Sequence, residues 1–289
     1  MKRNHYVPQS YLRAFAADPD RREKIWRFGK NEGDPELKPI DKVAYRHYLY
    51  VPKDETGQRD YAFEVRLSAL EQWFGERPWE LLLTEYVDLG DETIRKMVSL
   101  LAAVMYLRNP TSLEASNNVH RQMVDLLNQS PELPQSFEYK GKTYPADTSG
   151  WEKFRDGCDE ELKKTWIAGV REAGWLAELL MTMRWSMVVS ETPGFITSDH
   201  PVTVVHPSLS FRGFNNPETL VIFPLNPYRL LLIDHRMNEP SNQYYPVDDA
   251  MASYNYTIWR NANDYMFCHR NPDEVLAELV RDTEKRGFA

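Results

Sequence analysis

Residues 176–205, LAELLMTMRWSMVVSETPGFITSDHPVTVV, change texture at Arg184. Up to Met183 the apolar positions Leu176 and Leu180 recur at helical spacing. Beyond it, Trp185–Val189, Phe195–Thr197 and Val202–Val205 are short runs of β-branched or aromatic residues broken by Pro and Gly, the pattern of strands joined by tight connections. Thr219–Phe223, Leu230–Ile233 and Tyr265–Cys268 extend that pattern, with helical stretches over Asp248–Trp259 and Pro272–Lys285.

Upstream the sequence is mostly helical. Phe63, Leu67, Leu70 and Phe74 form one stripe of a helix over Tyr61–Phe74. Glu92–Leu107 is apolar around most of its circumference and predicts a buried helix, Ser112–Leu127 follows, and a long helix is expected over Trp151–Met183. Residues 128–150, rich in Pro and Gly, predict a mobile insertion with a hairpin near Phe137–Tyr144. At the N-terminus a short helix runs from Pro8 to Phe15, Lys24–Phe28 alternates as a strand does, and Val43–Val51 is extended. Helices first and strands later predict an α+β fold. The expectation is one domain over 1–289, with a helical bundle (mainly 60–183) on a mostly antiparallel sheet drawn mainly from 185–270 and residues 1–50 packed on it.

The 289 residues carry a net charge of −8, which argues against a broad, non-specific grip on a nucleic-acid backbone but leaves room for a local basic groove between Arg3 and Lys30. Cys158 and Cys268 have neither disulfide-framework nor zinc-site spacing, which suggests a reducing compartment. No run approaches membrane-span length and the first residues turn polar at once, so the expectation is a cytoplasmic protein with no membrane partner. The phosphate-binding GxxxxGK[ST] loop, GxGxxG, HExxH and GxSxG are all missing, so no nucleotide cofactor is expected and zincin or α/β-hydrolase chemistry is excluded.

Three constellations can carry chemistry. His5, Tyr6 and Gln9 lie at the mouth of the short helix, where an anion is favoured, with Arg13 one turn beyond Gln9; alternatively His5 and Tyr6 clip the N-terminus to the core. Asp199 falls at the end of a β-run in Ser198-Asp199-His200-Pro201, as a metal ligand or acid–base group, or else as the cap of a turn. Neighbouring strand residues point to opposite faces, so Asp199 and His200 need not serve one site. Glu64 and Glu71 sit two turns apart on one helix, about 10.5 Å by helix rise, too far to share an ion without a third element; if they face inward, Arg108 is the partner they require.

His5-Tyr6-Val7-Pro8-Gln9 with Tyr11-Leu12 and Phe15, Phe195–Val202, and Phe223-Pro224-Leu225-Asn226-Pro227 resemble the pattern of a family known as domain of unknown function 4238, as do Glu64, Glu71, Arg108 before Asn109-Pro110, and Asn255. The resemblance spans nearly the whole chain and implies no activity. That family often carries Asn where this chain has His200.

Two functional expectations follow. One is a divalent-metal-dependent phosphodiester hydrolase or nuclease, in the setting of a toxin or defence effector. There Mg²⁺ or Mn²⁺ is held by Asp199, Glu64 and Glu71, His5, Asp199 and Glu71 are catalytic, and Tyr6, Gln9, Arg13, Arg108, Ser198, His200 and Asn255 grip a nucleic acid or another phosphate-bearing ligand. The other is a non-catalytic binding or effector module in which these residues form a structural network.

Overall fold

A computed structural model describes residues 3–285 except 19, 32, 55, 130, 131, 158 and 207–212. The fold is α+β. Its helical part opens with Ala62–Glu71, whose Phe63 and Leu67 are buried, followed by Arg77–Thr84. Glu92–Leu107 is the helix the sequence predicts, bound for bound. Its N-cap Asp91 accepts the Ile94 N–H at 3.0 Å, and nine of its residues are buried. Pro110–Asn128 follows at once because Asn109 caps it and Pro110 takes a first-turn position where a missing N–H costs nothing.

The long helix expected over Trp151–Met183 is three helices, Trp151–Arg155, Asp159–Arg171 and Gly174–Thr182. Asp156-Gly157 and Ala173-Gly174 break it, since glycine holds a helix only weakly. The expected hairpin is present as Ser136–Tyr139 paired with Lys142–Pro145, and both tip residues, Lys140 and Gly141, have positive φ.

Two sheets, not one, face the helices. The larger is ordered Gln243–Pro246, Arg184–Val189, Arg229–Asp234, Leu220–Asn226, Thr203–Val205; it is antiparallel except for its first pair. The smaller is ordered Glu36–Pro39, Lys24–Gly29, Tyr265–Cys268, Thr197–Ser198. Residues 1–50 therefore supply strands as well as packing against them, because Lys24–Gly29 pairs with Tyr265–Cys268 in the register Tyr265↔Gly29. Of Val43–Val51 only Tyr45–His47 is a strand, in a two-stranded ribbon with Arg3–His5. Of Phe195–Thr197 only Thr197 enters a strand.

The larger of two clusters of buried apolar residues runs from Tyr6 and Val7 through the Glu92–Leu107 helix to Phe223 and Phe267, and the other gathers Phe195, Ile196, Ile258, Met266 and Val275. Cys268 is a buried free thiol, and Cys158 lies outside the described residues. Among the described residues no helix is long and apolar enough to cross a membrane.

Candidate functional site

The Glu92–Leu107 helix ends in the core, so Arg108 at its C-cap delivers a guanidinium to a place only 1% exposed. A charge there needs partners. Nη1 donates to Glu71 Oε1 at 2.7 Å and Nε to the Tyr6 carbonyl at 3.0 Å, while the Tyr50 hydroxyl donates to the Arg108 carbonyl at 2.8 Å. The third guanidinium nitrogen, Nη2, is buried with no partner.

Two further buried nitrogens around this ion pair are also unpartnered, Asn4 Nδ2 and His5 Nε2. Gln9 Nε2 lies 3.3 Å from His5 Nδ1, and with that amide donating, the neutral ring carries its proton on Nε2. Burial pushes the His5 pKa down, opposed by the Asp41 backbone and the Glu71 charge. Glu64 moves the other way: burial raises its pKa and Glu71 adds to the rise. Against that, Asn4 is near enough to lower it without Nδ2 reaching hydrogen-bonding geometry, and the Arg108 charge also pulls it down. Glu64 and His5 are half-buried, and Glu71 is 27% exposed, so the cluster has a mouth to solvent.

Asp199 sits on the far side of Asn109. Its carboxylate accepts the backbone N–H groups of Asn263 (2.8 Å), Asp264 (2.8 Å) and Tyr265 (3.1 Å), and its carbonyl accepts Asn109 Nδ2 at 2.8 Å. Asn263 Nδ2 closes the ring on Asn109 Oδ1 at 2.9 Å. Burial pushes the Asp199 pKa up to about 6 against the pull of those N–H donors. The Asp199 charge in turn adds to the effect of burial in raising the pKa of Tyr6. Ser198 is fully buried and its hydroxyl accepts the His200 N–H at 3.1 Å. The His200 ring stacks on Tyr106 at 5.5 Å and lines a separate cleft with His206 and Phe214. Asn255 holds the loop before Thr197, accepting the Ile196 N–H at 3.1 Å and donating to the Gly194 carbonyl at 2.9 Å.

The structure therefore brings together His5, Gln9, Glu64, Glu71, Arg108 and the Tyr6 backbone, and leaves Ser198, Asp199, His200 and Asn255 outside that cluster. Arg13 is also elsewhere, on a cleft beyond the short helix. The helix at His5 is only Gln9–Leu12, too short to present an anion site at its N-terminus. The proposed metal set of Asp199, Glu64 and Glu71 is not assembled. Asp199's oxygens are taken by backbone N–H groups, and among the described residues no three His, Cys, Asp or Glu side chains come together to hold an ion. The basic stretch near the N-terminus is partly spent on surface pairs, such as Arg27 with Glu36. Asn4, Tyr50 and Asn263 are not among the residues the sequence singles out, and Asn109 enters there only through the family resemblance, next to Arg108. Of these only Asn109, as an Asn-Pro helix start, carried a local signal.

Tyr11 explains why three distant stretches share one pattern. Its hydroxyl donates to the Pro224 carbonyl at 2.6 Å and meets Thr197 Oγ1 at 2.8 Å, so the segments around His5–Phe15, Phe195–Val202 and Phe223–Pro227 meet at one buried point. The pattern of DUF4238, described as a protein of unknown function, matches residues 3–272. The chain belongs to the DUF4238 family. Neither the curated proteins nor the solved structures contain a match. Within this DUF4238 chain, Asp199, Asn255 and Tyr11 each spend their polar atoms on holding segments together, whereas the Arg108 cluster keeps three unspent.

Proposed function

We propose that this protein acts on a phosphate-bearing substrate, with cleavage of a nucleic-acid phosphodiester as the reaction, at the cluster of Asn4, His5, Glu64, Glu71 and Arg108. The observation that carries this reading is the buried guanidinium of Arg108 with Nη2 unpartnered, flanked by the unpartnered Asn4 Nδ2 and His5 Nε2. Buried donors without acceptors are costly, and a phosphoryl oxygen seated among them relieves that cost. His5 and Glu64 supply the proton transfers. The His5 Nε2–H donates to the phosphoryl oxygen, and Nδ1, the one basic nitrogen of the neutral ring, takes the proton from water in place of the Gln9 amide; Glu64, whose pKa burial raises, gives one to the leaving oxygen. No step is routed through a metal ion, since Glu71 is engaged by Arg108 and Glu64 lies beside Asn4. A cytoplasmic setting belongs to the same proposal.

The test is cleavage of single- and double-stranded DNA and RNA with EDTA, Mg²⁺ or Mn²⁺, using the parent, His5→Gln and Glu64→Gln. General acid–base groups contribute about 10²-fold or more, so each variant is expected to lose at least that much rate while melting as the parent does. Stimulation by either ion restores a metal role to Glu64 and Glu71.

A second reading has its own observation: Asp199, Asn109, Asn255 and Tyr11 form internal links with no polar group left over for a ligand. On that reading the protein is a non-catalytic module whose motif residues fix the helices to the sheets. It is favoured if the parent cleaves nothing and the His5 and Glu64 variants lose stability instead.

A further inference from the structure

Between the larger sheet and the helix Met251–Asn261 lies a cleft of about 290 Å³, at the lower edge of the size range of small-ligand sites. Its floor comes from the alternation along Arg184–Val189. Trp185 and Met187 belong to the larger core cluster, so Arg184, Ser186 and Val188 stand on the opposite face of the strand, where Ser186 lies in register with Leu232 and Val188 with Tyr245. Tyr245 of the edge strand and Tyr254 of the helix also line the cleft.

Ser186 is out of place on that floor. It is 2% exposed, set beside Val188 and Leu232, and its Oγ is buried with no partner. A buried hydroxyl without a partner is rare and costly, and a ligand atom that hydrogen-bonds to it removes the cost. The Tyr245 and Tyr254 hydroxyls on the same lining have no hydrogen-bond partner among the described residues either. The charged groups at the cleft are spent on one another. Arg184 donates to Asp234 and to the Pro240 carbonyl and pairs with Glu239 at 3.1 Å, while Glu239 also stands 3.7 Å from Arg236, so two guanidinium groups balance two carboxylates. Three unspent hydroxyls, each able to donate and accept, with two tyrosine rings and no unbalanced charge, recognise an uncharged flat ring that carries donors and acceptors on its edge.

We propose that this cleft binds an uncharged heterocycle of nucleobase size, its face against the tyrosine rings and its edge hydrogen-bonded to the Ser186 hydroxyl. The site lies on the sheet face turned away from the Glu92–Leu107 helix and does not depend on the reading given to the Arg108 cluster.

Adenine is the probe, with glucose as an uncharged polyol that is not flat and AMP as the same ring carrying an anion, each titrated calorimetrically into the full-length protein. Adenine is expected to bind saturably with a Kd of about 1 mM or below, glucose not at all, and AMP no tighter than adenine. Because Ser186 Oγ bonds to nothing in the protein, Ser186→Ala should melt at or above the parent temperature while weakening adenine by about threefold to tenfold, the worth of one hydrogen bond. Tyr245→Ala removes a ring that is 41% exposed and should weaken adenine by about tenfold through lost stacking. Ala250→Trp, which fills the cleft, should abolish binding. Melting curves of each variant confirm that the fold is kept. The proposal is overturned if adenine does not saturate at millimolar concentration, if Ser186→Ala and Tyr245→Ala bind it as the parent does, if glucose binds more tightly than adenine, or if AMP binds tenfold more tightly.

Discussion

At Asp199 one side chain replaces what a strand would otherwise have to supply. The backbone N–H groups of Asn263, Asp264 and Tyr265 all end on its carboxylate, at a position 1% exposed. Removing an acceptor strands its donors, and a buried unpaired N–H costs about 1–3 kcal/mol. Asp199→Ala is therefore expected to lower unfolding free energy by about 3 kcal/mol or more in urea denaturation. Asp199→Asn should recover only part of that, since its amide nitrogen would face a donor. A loss below about 1 kcal/mol in Asp199→Ala would show that water replaces the carboxylate. The sequence placed Asp199 at a strand end and set His200 free to point elsewhere, as it does toward Tyr106. What it did not show was the partner, because residues 263–265 lie more than sixty positions along the chain and carry no local mark of the bond.

Between neighbouring strands the sequence concealed an ion pair of the same kind. Arg184 and Asp234 face each other in register at the ends of Arg184–Val189 and Arg229–Asp234, joined by two bonds of 2.9 and 2.7 Å, both about 5% exposed. Asp234→Ala leaves a buried guanidinium with only the Pro240 carbonyl and Glu239 beside it. It should destabilise by about 3–5 kcal/mol, whereas the paired replacement Arg184→Met with Asp234→Leu should be far closer to neutral. A double-mutant cycle by chemical denaturation checks this, and equal losses for the single and the pair would refute it. Elements whose stability is written in their own spacing were legible. Glu92–Leu107 shows its apolar circumference, and Tyr265–Cys268 its apolar run. Elements decided by tertiary contact were not. The breaks near Gly157 and Gly174 fall inside the single helix expected over Trp151–Met183, and Gln243–Pro246 is short and ends in proline, so only its parallel pairing with Ser186–Val189 makes it a strand. The candidate cluster was legible in the same measure: Glu71 and Arg108 were paired from burial logic alone, while Asn4 carried no signal.

Across the whole molecule these buried groups make stability depend on acidity in a direction that can be worked out. His5, His200 and His269 are bases whose folded pKa values burial holds below the ordinary 6.5, that of His269 at about 4. The unfolded chain therefore binds their protons first. Their contribution is whole above pH 6.5 and is lost as pH falls toward the folded values. Asp199 opposes them: its folded pKa of about 6 lies above the ordinary 3.8, so its contribution is whole below pH 3.8 and is lost as pH rises through 6. Glu64, whose pKa burial also raises, stands with Asp199, so three imidazoles face two carboxyls and hold the majority. Melting temperature is thus expected to fall as pH drops from 7 to 5 in a calorimetric series at fixed ionic strength. Replacing His269 with Gln removes the imidazole whose folded pKa is about 4 and should flatten the slope, whatever it does to stability at pH 7. A melting temperature that holds level or climbs on acidification, with the His269→Gln curve parallel to the parent's, would mean that the imidazoles are solvated and that the packing around His5 is looser than a site built on unpartnered donors requires.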